Sequence, residues 1–336
     1  MLISFIIPAY NAEKTIQRCI ESILALGAIP LEIIVVNDGS SDDTALICAG
    51  IQDKRIRIIS QSHKSAAAAR NNGLTNASGD FIMFVDADDF VVTDNLAGII
   101  KNLNIHDKCV MFNNERLYKG IIKANIFEYQ PGTFGKRTVS VLMQKLLYVP
   151  LYSSWNRKEM YGRACRYFFN RVFLQQNSIF FDEELLFMED LPFCLKVFSK
   201  LDQIRIIDTI GYCCVKTKNS LSRSYRDTMW DDLKAVYSAI DRIINCPLEI
   251  LYCYFGKCAI KHYLSVKGFR HAKEKISDVL GDEKFIDTLL NTEALGSRSF
   301  SERLFDGFCR FHKSAPFYLF YLKYHSEKRI LKNSNS

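Results

Sequence analysis

The first hundred residues alternate between short apolar runs and segments with helical spacing, and this alternation constrains the fold more than any other feature. Leu2 to Ile7 reads as a buried strand ended by Pro8-Ala9-Tyr10-Asn11. Ile16, Ile20, Ile23 and Leu24 then mark one face of a helix, with Gly27 and Pro30 beyond its end. A second run, Leu31 to Val36, breaks into Asn37-Asp38-Gly39-Ser40-Ser41-Asp42-Asp43-Thr44, where the turn needs glycine and the Ser, Asp and Thr residues suit a helix start. Ile56 to Ile59 gives a third strand and Ser65 to Asn76 an alanine-rich helix. The apolar run inside Gly79 to Phe90 gives a fourth strand, and Leu96, Ile99, Ile100 and Leu103 give the next helix its buried face. Strand and helix alternating at this spacing predict a parallel sheet with right-handed crossovers.

In such a sheet the carboxyl ends of the strands share one edge, where ligands of open α/β sheets bind. Pro8-Ala9-Tyr10, Asp38 and Asp86-Ala87-Asp88 are therefore placed to converge on one ligand. Asp86, Asp88 and Asp89 put three acids in four residues, and these repel one another unless something positive sits among them. A divalent cation carrying a diphosphate is one such partner, because hard cations take one or two carboxylates and complete their shells with phosphate oxygens and water. A solvated acidic turn is the other reading. No GxGxxG follows the first strand and no GxxxxGK[ST] occurs, which argues against a dinucleotide-dependent oxidoreductase and a P-loop NTPase.

Four stretches carry a resemblance: Ser4-Phe5-Ile6-Ile7-Pro8-Ala9-Tyr10-Asn11, Ile34-Val35-Val36-Asn37-Asp38-Gly39-Ser40-Ser41-Asp42, Ala68-Ala69-Arg70-Asn71-Asn72-Gly73-Leu74 and Phe84-Val85-Asp86-Ala87-Asp88-Asp89. In order and spacing they resemble the successive blocks of family 2 glycosyltransferases. The resemblance implies a GT-A fold, a Rossmann-like mixed sheet, and an inverting transfer from a nucleotide-sugar donor, with UDP the expected nucleotide. It implies that Pro8, Ala9 and Tyr10 line the base and ribose pocket and that Asp38 hydrogen-bonds the base. Asp86 and Asp88 become the DxD pair, with Asp88 closest to a manganese or magnesium ion and Asp86 nearer the ribose. Arg70 is placed beside the diphosphate or as a brace for the DxD carboxylates. Two departures stand out: Asn37 replaces the usual acid, and Lys64-Ser65-Ala66-Ala67 replaces a glycine-containing turn.

Further along, Phe180 to Phe193 contains Glu189-Asp190 followed by Pro192. An inverting transfer needs a carboxylate on the acceptor side to take the hydroxyl proton as the new bond forms. The resemblance points to this acidic pair, with Asp190 favoured over Glu189 as the base. The same placement also suits Asp190 as a helix N-cap, and Asp182, Glu183 and Glu184 read as a solvated turn. Tyr148 to Trp155 is an aromatic candidate for an acceptor wall or for packing. Ile204 to Ile207 and Gly211 to Val215 read as two short strands. The basic segment after them, including Lys218 and Arg223, resembles the one that holds the leaving diphosphate, where negative charge grows.

From Asp227 onward the pattern is helical, and the domain expectation is a catalytic domain over 1–225, divided into a donor half (1–104) and an acceptor half (105–225), followed by a helical subdomain over 226–336. Phe305 to Arg329 mixes aromatics with Lys and Arg, which suits a packed subdomain or peripheral contact with a membrane. A net charge of +7 is compatible with polyphosphate, nucleic acid or an anionic surface, but no nucleic-acid module is present and the acidic rim would repel phosphate without a metal. Eleven cysteines without a CxxC pair suggest reduced thiols, and the apolar start is cut short by Pro8 with no basic leader. The expected setting is therefore the cytoplasm, at the inner face of the cell membrane if the acceptor is a glycolipid. Two rivals from other classes are a noncatalytic glycan- or nucleotide-binding scaffold of the same fold and a sugar-nucleotidyltransferase. The second lacks its usual glycine-rich basic loop at Pro8 to Asn11.

Overall fold

The computed structural model describes residues 1–126, 129–152, 162–216, 225–244, 248–264 and 269–291. In chain order the elements are β1 (Ile3–Ala9), α1 (Ile16–Leu24), β2 (Leu31–Asp38), α2 (Thr44–Gly50), β3 (Ile56–Gln61), α3 (Ala66–Asn76), β4 (Phe81–Phe84), β5 (Phe90–Val91) and α4 (Thr93–Lys101). Then follow β6 (Cys109–Tyr118), β7 (Ile121–Asn125), β8 (Gly132–Gly135), α5 (Lys136–Tyr152), β9 (Tyr167–Asn170), α6 (Arg171–Gln176), α7 (Asp190–Lys200) and β10 (Gln203–Val215). The last four are α8 (Met229–Asp241), α9 (Glu249–Tyr263), α10 (Phe269–Leu280) and α11 (Glu283–Asn291).

The sheet runs β3-β2-β1-β4-β9-β6-β10-β5, with β7 on β6 and β8 on β10. The first four strands are parallel, as the alternation predicts. β1 and β4 are buried on both faces, so their sequences are continuous apolar runs without alternation. Beneath them Ile16, Cys19, Ile20 and Ile23 of α1 join Phe5, Ile7, Ile33 and Met83 in one core. α3 lies close to β1 at Gly73, where a Cβ would come 2.3 Å from Ile6 Cγ2. Ser65 caps α3, its Oγ accepting from Ala68 N at 3.1 Å.

Beyond β4 the sheet becomes mixed. β9 inserts antiparallel between β4 and β6, and β6 and β10 again run in the direction of β1. The two short strands expected over 204–215 are one strand, β10, whose register against β6 shifts between Ile207 and Tyr212. That irregularity lets one strand pair with β8 at its start and with β5 near its end. The weakly patterned 105–160 region holds the helix α5 and a β6–β7 hairpin turning at Lys119 and Gly120, both at positive φ.

The described residues fall into two compact units, one within Met1–Ser220 with Arg242–Ile244, the other within Leu221–Asp241 and Asn245–Ser336. The second packs α8 to α11 around Trp230, which meets Tyr252 and Phe285 edge-on. Among the described residues no helix is long and apolar enough to cross a membrane. Lys218, Arg223, Trp155 and the Phe305 to Arg329 segment lie outside the described residues.

Candidate active site

The acidic turn after β4 is built by hydrogen bonds that give its three carboxylates different tasks. Asp89 is buried and structural: its Oδ2 accepts from Tyr212 Oη at 2.8 Å and its Oδ1 from Val215 N at 2.7 Å. Tyr212 Oη also accepts from Asp86 N at 3.0 Å, so β10 fastens the turn at two points. Asp86 Oδ1 accepts from Arg70 Nη2 at 2.8 Å. Asp88 accepts from its own backbone N–H, and burial together with the Asp86 charge pushes its carboxyl up to about 6. Arg163 and Arg18 pull the other way; Arg18 Nη2 also donates to the Asp88 carbonyl at 2.6 Å.

Arg70 links this turn to α7. Its Nη1 donates to Glu189 Oε1 at 2.7 Å and stands 3.6 Å from Asp190 Oδ1, while the guanidinium carbon lies 5.3 Å from the centroid of the Phe181 ring. One buried guanidinium thus serves three carboxylates, and their combined charge raises its pKa well above the ordinary arginine value against the cost of burial. Asp190 Oδ2 accepts from Ala164 N at 3.2 Å; Oδ1 is buried without a hydrogen-bond partner. Burial pushes the Asp190 carboxyl up to about 7, Arg70 opposing and Glu189 and Asp86 adding to the rise. The capping expectation is corrected here. Asp190 is the first helical residue, Glu189 holds the cap position and its side chain caps nothing. Met188, at φ 55°, makes the turn that brings both acids to Arg70.

The third group lies at the ends of β1 and β2. Ala9 pairs with Asn37, Ala9 is buried, and Tyr10 is exposed with its ring stacked on His63 at 4.0 Å. Asp38 is buried; its Oδ1 accepts from Gln61 Nε2 at 2.7 Å and Lys64 N at 3.0 Å, and its Oδ2 is 2.9 Å from His63 Nδ1. Asn37, the residue without the usual acid, accepts from Ser40 N at 3.1 Å and holds the turn. Gly39 stands at φ +71°, and a Cβ there would come 2.8 Å from His63 N. Glu183 is tied in as well, accepting from Asn71 Nδ2 at 2.9 Å, so it is more than the solvated turn residue expected.

Direct bonds therefore join Asp86, Arg70 and Glu189, with Asp190 beside them, and His63 joins Tyr10 to Asp38. His63, Tyr212, Arg18 and Arg163 escaped the sequence reading. His63 immediately precedes Lys64-Ser65-Ala66-Ala67, the turn that departs from the usual glycine pattern, the one signal near it. Asp86 and Asp88 supply two carboxylates, and among the described residues no three acidic, His or Cys side chains gather as a metal cage. That donor set fits a cation that fills its remaining positions with phosphate and water, the ordinary habit of Mg²⁺.

Residues 4–163 match the family model described as glycosyl transferase family 2. That match spans just under half of the chain. Among the chain's curated relatives, EpsJ of Bacillus subtilis (strain 168), an uncharacterized glycosyltransferase, is 28% identical over 71% of this chain and 68% of its own. WfaP of Escherichia coli, a UDP-Glc:alpha-D-GlcNAc-diphosphoundecaprenol beta-1,3-glucosyltransferase, is 36% identical over 39% of this chain and 52% of its own. The S. aureus TarS 1-349 structure in complex with UDP-GlcNAc superposes with a TM-score of 0.63 at 19% identity, covering 86% of this chain and 81% of that one. The GT-A fold expected from the sequence is thus the one found.

Proposed function

We propose that this glycosyltransferase is metal-dependent and inverting, and that it moves a sugar from a UDP-sugar to a hydroxyl of a lipid-linked glycan in surface polysaccharide assembly. The observation that carries the reading is the Arg70 bridge, which sets a DxD carboxylate beside an acid whose pKa lies near neutrality. The donor and acceptor classes are supported by relatives such as WfaP and by TarS, whose structure holds UDP-GlcNAc.

In this reading Pro8, Ala9, Tyr10 and Asp38 hold the base and ribose, Asp86 meets the ribose, and Asp88 with Asp86 holds the cation. When bound, the cation offsets the negative charge that grows on the leaving diphosphate. Lys218 and Arg223 supply the positive charge that holds that diphosphate. Asp190, through Oδ1, which accepts no hydrogen bond, takes the proton from the acceptor hydroxyl. Glu189 keeps Arg70 in place, and Arg70 braces the acids instead of touching the substrate. The chain divides into a catalytic domain over 1–225 and a helical subdomain over 226–336, and it works at the inner face of the cell membrane.

UDP should bind far more tightly with Mn²⁺ or Mg²⁺ than in EDTA, and Asp88→Ala should erase the difference. Lewis-acid help is worth several kcal/mol, so metal removal should lower transfer by orders of magnitude. Equal UDP affinity by calorimetry in Mn²⁺ and in EDTA would sink the metal assignment. A nucleotide-sugar panel scored by UDP release then separates a transferase from a noncatalytic scaffold, which would release none.

A further inference from the structure

The β6–β7 hairpin carries apolar side chains that the described fold leaves uncovered. Ile121, Ile122 and Ile126 are 60%, 57% and 50% exposed, and Tyr118 is 40% exposed. β7 pairs with β6 and with no other strand among the described residues. An exposed edge strand rich in isoleucine invites unwanted pairing, and such a patch usually marks a surface with a partner. Its charge indicates the kind of partner. Lys119 and Lys123 are exposed at the tip, Lys119 Nζ standing 5.7 Å from the centroid of the Tyr118 ring, and between residues 115 and 126 the one acid is Glu115.

The hairpin's position follows from the strand register. Cys109 of β6 and Ile82 of β4 both pair with Phe169 of β9, so Asn113 stands level with Asp86. β6 runs in the same direction as β1 and β4, which places its carboxyl end at the edge that carries the acidic turn. Tyr118 is five residues past Asn113, and at strand rise the tip projects about 16 Å beyond that level.

We propose that this tip docks on an anionic lipid surface, with Tyr118, Ile121 and Ile122 entering the interface and Lys119 and Lys123 lying among the headgroups. Aliphatic and aromatic side chains flanked by lysines are the composition that settles at a bilayer interface without spanning it. The proposal rests on the lipid-linked acceptor argued above, since a saccharide held at a membrane must reach the same sheet edge. A lipid-facing tip at that edge brings the site to the acceptor.

The test is cosedimentation of the full chain with vesicles of phosphatidylglycerol and phosphatidylcholine in equal parts, against phosphatidylcholine alone. The protein should pellet with the anionic vesicles at low salt and be released by high salt. Each lysine near an anionic surface contributes about a fivefold factor, so Lys119→Glu with Lys123→Glu should weaken binding at least twentyfold or so. Ile121→Ser with Ile122→Ser should weaken it comparably, and both variants should keep the wild-type melting temperature and UDP affinity. The proposal is overturned if the wild type stays in the supernatant at low salt. It is equally overturned if both variants pellet like the wild type, which moves the contact elsewhere in the chain. Ultracentrifugation showing a dimer that the serine variant dissociates, without vesicle binding, would assign the edge to a second copy instead. Vesicle binding and UDP binding are read separately, so failure of the donor reading leaves this result standing, and the reverse.

Discussion

A carboxyl poised near neutrality can change its proton within the working range of an enzyme, and Asp190, pushed up to about 7, is such a group. As the proposed base, Asp190 must be ionised to act, so transfer should fall as the pH drops below about 7 and level off above it. Asp190→Asn should lower transfer by roughly 10²- to 10⁴-fold while leaving UDP binding intact. Because the Glu189 charge raises Asp190, Glu189→Gln should keep activity and move the acid limb to lower pH. If Glu189→Gln abolishes transfer and Asp190→Asn does not, the two roles are exchanged. The same shift acts on stability with a definite sign. A folded-state pKa raised above the unfolded value costs nothing below about pH 4, and the cost grows as pH rises and is complete above about 7. Asp190→Asn should therefore melt above the wild type at pH 8, by on the order of 1 kcal/mol, with the gap closing toward pH 4. Arg70→Gln should do the opposite. It leaves Asp86, Glu189 and Asp190 mutually uncompensated, and a loss of about 3–5 kcal/mol in the unfolding free energy, read by denaturant titration, is the expected cost.

Among the elements, α3 and β1 approach so closely at Gly73 that the helix has no room for a methyl group. Gly73→Ala should push α3 off the sheet and cost about 1–3 kcal/mol, measurable by thermal unfolding; an unchanged melting temperature would mean that Ile6 simply rotates away. Apart from the two-residue β5, the elements up to α4 were legible in the sequence because each combines a continuous apolar run or a helical face with Gly, Pro or Asx punctuation. β10 was read as two strands because Asp208-Thr209-Ile210 interrupts its apolar run, while the structure absorbs that interruption as a register shift. α5 was missed for a related reason, its apolar residues being spread around the helix and not gathered on one stripe. At the site, the acids at strand ends were legible, since carboxylates clustered after a buried run have few structural uses. His63 and Tyr212 were not. Their importance comes from partners 25 and 123 positions away, a relation that no local pattern records.

For the whole molecule, a catalytic domain over 1–225 should retain the full chain's affinity for UDP when expressed alone, as titration calorimetry would register. A fragment that has lost that affinity would show that the donor site needs residues of the helical unit. Residues 4–163, where the family model matches, end before Glu189, Asp190 and Tyr212. The donor blocks thus come early in the chain, whereas the phenol that fastens the acidic turn comes 126 positions after Asp86. Contacts of such separation form slowly, since a long loop must close before it is rewarded. During synthesis the four donor blocks emerge from the ribosome well before Tyr212 does, and in that interval the acidic turn has no latch. A half-made chain should be unable to sequester nucleotide sugar, and affinity should arrive abruptly when β10 enters the sheet.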